Sequence, residues 1–280
     1  MKNIYVIGGG TKGLDIARVF ASKNFNVTVY DLTEEIITRS EARLKASLNK
    51  RVARGKMTQE EMDGILANMA FTTNFDNIGS AEFIIEAIIE NTKIKKELYA
   101  NLDAVCSENT IFATNTSALS ITELASATKR PDKFIGMHFF NPATVMKLVE
   151  VIRGQKTSDE TFETVRQLSL DIGKQPVEVN EAPGFVVNRI LIPLVNEGCC
   201  IVQEGVASVK DVDTAMKLGA NHPMGPLELG DLIGLDVCLA VMDTMYNETH
   251  DPKYRACTLL RKMVRAGQLG RKTGKGFYEY

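Results

Sequence analysis

The 280-residue chain has no tryptophan, only 8 prolines and no low-complexity tract. With Trp absent, its ultraviolet fluorescence comes from 7 tyrosines. No apolar run is long enough for a transmembrane helix, so no membrane partner is expected. An excess of one charge sign is also missing: 33 Lys+Arg face 35 Asp+Glu, a net charge of −2. That balance argues against a dedicated nucleic-acid binder. Disorder is excluded by the 44% hydrophobic content together with this low net charge. The length suits one large domain or two ordinary ones.

Cysteine is sparse. Cys106, Cys199, Cys200, Cys238 and Cys257 are odd in number and lack framework spacing. We read them as reduced thiols in a cytoplasmic protein. Neither a CxxC nor an HxxxH pair is present, so no metal site is expected. The segment Lys2–Ile7 already reads as a strand, so we expect no leader before the fold.

What is present is an alternation of short apolar runs and helical stretches. The expected strands are Ile4–Ile7, Val27–Asp31, Met69–Thr72, Phe83–Ile85, Ile111–Thr114 and Phe134–His138. Helical spacing separates them at Leu14–Lys23, Glu34–Arg54, Lys93–Leu102 and Ser120–Ala125. Such alternation predicts an α/β fold, a doubly wound, mostly parallel sheet with helices on both faces. Glu34–Leu66 is longer than an ordinary crossover and suggests two helices around Gly55, projecting from the sheet. Two more strands, Lys147–Ile152 and Pro176–Val179, flank a helix over Asp159–Ile172. From Phe185 only helical spacing remains. The β-branched run Val186–Ile192 competes as a strand, but its continuation to Val202 is too long for one and favours helix. Pro183-Gly184 punctuates the change. We therefore divide the chain into an α/β domain, 1–183, and an all-helical C-terminal domain, 184–280.

Gly8-Gly9-Gly10-Thr11-Lys12-Gly13 follows the first strand and opens the first helix. Gly8, Gly10 and Gly13 fit GxGxxG. The first glycine permits a tight turn, the second a close approach of backbone to pyrophosphate, and the third helix–strand packing. The phosphates would then lie over the helix N-terminus. Asp31, ending the second strand, suits the adenosine ribose hydroxyls and repels a 2′-phosphate, so NAD is preferred over NADP. Lys12 offers a charge to the pyrophosphate or is solvated. Asp15, expected in the first helical turn, would oppose it.

Several further segments resemble one family. They are Ile85-Glu86-Ala87-Ile88-Ile89-Glu90, Thr114-Asn115-Thr116-Ser117 and Gly136-Met137-His138-Phe139-Phe140-Asn141-Pro142. Leu148-Val149-Glu150-Val151, Ala182-Pro183-Gly184-Phe185-Val186-Val187-Asn188-Arg189, His222-Pro223-Met224-Gly225-Pro226 and Gly270-Arg271-Lys272-Thr273-Gly274 continue the series. In order and spacing, over nearly the whole chain, they resemble the 3-hydroxyacyl-CoA dehydrogenases, especially the bacterial 3-hydroxybutyryl-CoA enzymes. The resemblance implies a Rossmann-type fold and hydride transfer between NAD and carbon 3 of an acyl-CoA thioester.

It also implies roles for particular residues. The catalytic pair falls on His138 and Glu150. Flanking a turn, these two can meet across neighbouring strands, as an oriented imidazole base requires. An isolated His138 would read as a core histidine. Ser117 and Asn188 also match family positions that serve the substrate, Asn188 from across an interdomain cleft. As bare residues they read equally as a helix cap and a boundary hydrogen bond. Glu90 and Lys95 would bracket the nicotinamide ribose, with Asn115 and Lys272 as further cofactor contacts. The i,i+5 spacing of Glu90 and Lys95 otherwise suits a solvated helix face. For the CoA phosphates the candidates are Ser47, Lys50, Arg54 and Lys56, which also fit a solvated basic face. His222 and His250 lack partners of this kind. A homodimer or higher homo-oligomer built on the helical domain is expected from the family. A relative acting on a free sugar acid, such as L-gulonate dehydrogenase, is the enzyme alternative. A non-catalytic NAD-binding protein, as in some lens crystallins, is the other.

Overall fold

Burial on both faces makes a strand read as a continuous apolar run, and the first part of this chain repeats such runs. In the computed structural model, which describes residues 1–280, the elements begin β1 (Asn3–Ile7), α1 (Thr11–Ala21), β2 (Asn26–Tyr30) and α2 (Glu34–Ala53). Next come α3 (Gln59–Ala67), β3 (Met69–Thr72), β4 (Phe83–Glu86), α4 (Thr92–Val105), β5 (Ile111–Thr114) and α5 (Ile121–Ala125). The pattern closes with β6 (Phe134–Phe139), β7 (Leu148–Arg153), α6 (Asp159–Asp171) and β8 (Gln175–Asn180). The rest is helical: α7 (Val187–Gln203), α8 (Val209–Gly219), α9 (Pro226–Ile233), α10 (Leu235–Thr249) and α11 (Thr258–Arg265). The chain forms two compact units, Met1–Glu181 and Ala182–Tyr280. No helix is long and apolar enough to cross a membrane.

The first unit is a Rossmann-type sheet of eight strands in the order β3-β2-β1-β4-β5-β6-β7-β8. Neighbours run parallel except β6 and β7, which are antiparallel. The strand order reverses between β1 and β4, and ligands bind such sheets at the carboxyl ends beside that reversal. The β6–β7 register sets His138 directly opposite Glu150. Pro176 lies in the edge strand β8, where its missing N–H costs no ladder bond. The core joins Val6, Phe20, Val29, Phe83, Ile85 and Val151 across sheet and helices.

Three expectations are corrected. Helix α1 begins at Thr11, three residues before Leu14, because Gly10 already serves as its N-cap. Asp15 therefore falls in the second turn, and the first turn holds no acidic residue. Its nearest charges are Arg18 and Lys174, and burial raises its pKa. Helices α2 and α3 do not project from the sheet. Leu44, Leu48, Met62 and Ile65 bury into the main core, because they form an apolar stripe along the inner faces of both helices.

The second unit packs its helices around Val195, Leu227, Leu235, Met242 and Leu260. The buried Asp213 carboxylate accepts from Leu227 N at 2.8 Å and Glu228 N at 2.9 Å, capping α9. Tyr278 donates its hydroxyl to the same carboxylate at 2.7 Å. Asp231, also buried, accepts from Phe277 N and Tyr278 N, and so holds the C-terminal segment.

Candidate active site

The glycine turn is built by close approach. Gly8 has φ +110° and donates its N–H to Tyr30 O at 2.8 Å. A Cβ on Gly13 would meet Gly8 O at 2.0 Å, so only glycine lets α1 lie this near the turn. Helix α1 has no side-chain cap, which leaves its N-terminal N–H groups for an anion. A cavity of about 960 Å³ opens beside it, lined by Gly8, Gly10, Asp31 and Ile88 among others. Asp31 follows β2 rather than ending it. Its carboxylate accepts from Gly9 N and Leu32 N, each at 2.7 Å. Open space faces Gly10. These features fit a dinucleotide whose pyrophosphate meets the helix end and whose ribose meets Asp31.

Two residues that sequence reasoning missed steady this turn. Buried Ser40 sets its hydroxyl 2.6 Å from Gly9 O and 2.7 Å from Ile36 O. Arg43 donates to Thr11 Oγ1 at 2.8 Å, which brings a guanidinium to the start of α1. Nothing separates these two from the other polar residues of α2 until the helix is docked.

At the carboxyl ends of β4 and β5, a charged network replaces the apolar pattern. Glu86 and Lys95 are both buried and 2.5 Å apart. Glu86 also accepts from Ile88 N at 2.7 Å and from Thr114 Oγ1 at 2.9 Å. Lys95 lies 3.4 Å from Glu90 as well. It is not on a solvated face: its ammonium is enclosed between two carboxylates. Glu90 precedes α4, and its Oε1 accepts from Thr116 Oγ1 at 2.5 Å and Ser117 N at 2.8 Å. Ser117 does not cap α5; Ser120 does, accepting from Glu123 N. Asn115 is buried and accepts from Phe139 N at 2.8 Å, fixing the strand end next to His138. The signal for Glu86 was a carboxylate ending the apolar run Phe83-Ile84-Ile85. A buried charge there needs a partner.

His138 and Glu150 are buried, and Nδ1 lies 2.8 Å from Oε2. Burial lowers the imidazole pKa below its ordinary value, and the nearby Lys12 charge adds to this, while the Glu150 hydrogen bond opposes it. A neutral ring donating Nδ1–H to Glu150 leaves Nε2 as a proton acceptor. The connection between these strands is tied down by Lys174, another missed residue. Its ammonium donates to Ala143 O at 2.5 Å and Met146 O at 2.7 Å. Lys12, in the first turn of α1, is half-buried, and burial lowers its ammonium to about 8.

The other sequence candidates belong to other elements. Ser47 and Lys50 are exposed on α2, and Arg54 and Lys56 are exposed just beyond it. Asn188 lies in the first turn of α7, in the second unit. Lys272, in the same unit, does not present a free cation: it is paired with Asp236 at 2.5 Å. His222 lies outside the helices and strands, and His250 is the left-handed cap of α10. No group of three or more His, Cys, Asp or Glu is arranged to hold a metal ion.

Residues 3–182 match the family described as 3-hydroxyacyl-CoA dehydrogenase, NAD binding domain. Residues 184–280 match its C-terminal domain. The chain belongs to the 3-hydroxyacyl-CoA dehydrogenase family. This dehydrogenase is 56% identical over 275 residues to 3-hydroxybutyryl-CoA dehydrogenase of Clostridioides difficile, covering 98% of each chain. It is 43% identical to the human mitochondrial hydroxyacyl-coenzyme A dehydrogenase, covering 100% of this chain and 91% of the human one. A crystal structure of (S)-3-hydroxybutyryl-CoA dehydrogenase from Ralstonia eutropha superposes with TM-score 0.96 at 46% identity. That match covers 100% of this chain and 99% of the other. Family membership makes the dehydrogenase an oxidoreductase with NAD as cofactor, consistent with the open α1 terminus and Asp31.

Proposed function

We propose that this dehydrogenase interconverts (S)-3-hydroxybutyryl-CoA and acetoacetyl-CoA. The observation that carries the chemistry is the buried His138–Glu150 contact of 2.8 Å. The substrate class comes from the relatives. When bound, NAD supplies the hydride acceptor for carbon 3. His138 Nε2 takes the hydroxyl proton in oxidation and returns it in reduction. Glu150 accepts from Nδ1–H, fixes the tautomer and stabilises the imidazolium as it forms. Glu90 holds the backbone turn of Ser117, whose hydroxyl is assigned to the substrate oxygen. Asn188 is assigned as a donor to the 3-oxo group, a role of the oxyanion-hole type. Asn115 and Glu90 with Lys95 shape the cofactor end, Lys95 through Glu90. Ser47, Lys50, Arg54 and Lys56 are assigned to the CoA phosphates.

The five free thiols suit a reducing, cytoplasmic compartment. The helical unit exposes Ile190 (68%), Val206 (71%) and Leu218 (82%), which supports self-association into a homodimer or larger homo-oligomer.

Initial rates of NADH oxidation with acetoacetyl-CoA, longer 3-ketoacyl-CoAs and free keto acids, and of NAD+ reduction with (S)-3-hydroxybutyryl-CoA and free hydroxy acids, test the reading. The expected order places acetoacetyl-CoA first. Preference for a free acid would overturn it in favour of a sugar-acid dehydrogenase. Binding of NADH without turnover of any thioester would overturn it in favour of a non-catalytic role.

A further inference from the structure

Arg43 is a cation of α2 to which the proposed reaction gives no task. It is exposed, joins no ion pair and makes a single hydrogen bond, from Nη1 to Thr11 Oγ1 at 2.8 Å. Lys45, on the same helix, is by contrast neutralised by Glu41 at 2.6 Å. Thr11 is uncharged and is the first residue of α1. The Arg43 guanidinium is therefore held at the end of α1 where the helix dipole is positive. The first turn there has no acidic residue and no side-chain cap, and it carries a second cation, Lys12. A cation at this end of a helix is unfavourable until an anion joins it. The Asp31 carboxylate does not take that part, since Gly9 N and Leu32 N already engage its two oxygens.

Packing fixes this placement. A Cβ on Gly9 would stand 2.7 Å from Ser40 Oγ, so α2 touches the glycine turn directly. Ser40 is buried, with its hydroxyl 2.6 Å from Gly9 O. Arg43 follows three positions later, on the same side of α2. Leu44 beside it is buried in the main core and anchors that turn of the helix. The guanidinium is thus carried by a docked helix.

We propose that Arg43 is a further cofactor-binding residue, whose guanidinium acts on the diphosphate of the dinucleotide from the α2 side. This role rests on NAD as the cofactor and not on the choice of acyl substrate. Most of the guanidinium N–H donors are unused within the protein. Their planar fork suits phosphate oxygens, and the charge is permanent. A diphosphate supplies the anion that the helix end, Lys12 and Arg43 together lack. A bond that only ties α2 to α1 would behave differently. Its acceptor is an uncharged hydroxyl, so losing it would not change how cofactor affinity depends on salt, whereas losing a charge contact would.

The test is direct binding at low and at high salt. NADH is titrated by its own fluorescence, and ADP-ribose by displacement of NADH. ADP-ribose has the diphosphate but no nicotinamide. Arg43→Gln should weaken both ligands by about five- to tenfold at low salt, with the loss shrinking as salt rises. Arg43→Lys, which keeps the charge, should retain most of the affinity at low salt. The KM for acetoacetyl-CoA at saturating NADH should not move in Arg43→Gln. Unchanged Kd values in Arg43→Gln overturn the proposal. A loss of the same size at every salt concentration also overturns it and leaves Arg43 as a tie between two helices. So does a loss for NADH that ADP-ribose does not share. A raised KM for acetoacetyl-CoA with NADH affinity unmoved overturns it in favour of the CoA phosphates. Failure of the unmodified protein to bind NADH would instead remove the cofactor itself, and the role of Arg43 with it.

Discussion

Glu86 and Lys95, nine positions apart, form an ion pair of 2.5 Å with both side chains essentially inaccessible to solvent. The pair lies under the turn that carries Ser117, and Lys95 also reaches Glu90 at 3.4 Å. Desolvating two charges is costly, but each carboxylate oxygen of Glu86 has further hydrogen-bond donors. Removing one partner is therefore far worse than removing both.

Lys95→Met should cost about 3–5 kcal/mol in denaturant unfolding, because Glu86 is left buried and uncompensated. The double variant Glu86→Gln/Lys95→Met, which removes both charges and keeps polar partners for Ile88 N and Thr114 Oγ1, should recover most of that stability. It should still lose activity, because Glu90 no longer has its ammonium partner. A double variant as unstable as the single one would contradict the paired burial.

The pH profile follows from His138. Its pKa is lowered mainly by burial, below the ordinary 6.5. Oxidation needs the free imidazole, so kcat/KM for oxidation should hold down to below pH 6.5 and fall only as the ring protonates. Reduction needs the imidazolium, so its rate should decline as pH rises through the same pKa. Glu150 opposes the lowering, so Glu150→Gln should move both limbs further toward acid and reduce turnover roughly 10²–10⁴-fold. Rate measurements in both directions across pH check the sign. A shift toward alkaline pH would contradict it.

Asp31 should control cofactor choice. Both its oxygens already accept backbone N–H groups, which fix a negative charge at the cavity wall. Asp31→Ser should raise the NADPH-to-NADH ratio of kcat/KM by about tenfold or more. An unmodified enzyme that already prefers NADPH would refute this role.

Lys50 and Arg54 are exposed and make no ion pair within the chain. The double reversal Lys50→Glu/Arg54→Glu should raise KM for acetoacetyl-CoA about three- to tenfold at low salt, with kcat little changed and the effect shrinking at high salt. An unmoved KM would make this stretch a solvated face.

The sequence was most legible where local spacing and chemistry coincide. The glycine turn could be read because its GxGxxG pattern stands between a strand and a helix, and the approach of Gly13 to Gly8 that requires it is local. His138 and Glu150 were paired by the family resemblance, and the single turn between their strands agrees with it. What could not be read depends on docking. Glu86 finds Lys95 only after α4 folds back over β4, so the i,i+5 spacing of Lys95 to Glu90 showed neither this second carboxylate nor the burial of the ammonium. Ser40 reaches Gly9, Arg43 reaches Thr11 and Lys174 reaches Ala143, each 31 or more residues away, and none carries a local signature. The docking of α2 and α3 was obscured by their many charges, although Leu44, Leu48, Met62 and Ile65 already formed a buried stripe. Asp15 was misjudged because the helix starts at the glycine turn itself.

The central claim is that His138 moves the proton during hydride exchange at carbon 3 of a CoA thioester. The most direct measurement is the rate of acetoacetyl-CoA-dependent NADH oxidation by His138→Gln beside the unmodified enzyme, with NADH binding checked on both. Turnover should fall by about 10²–10⁴-fold with NADH affinity retained. Turnover near that of the unmodified enzyme would contradict it.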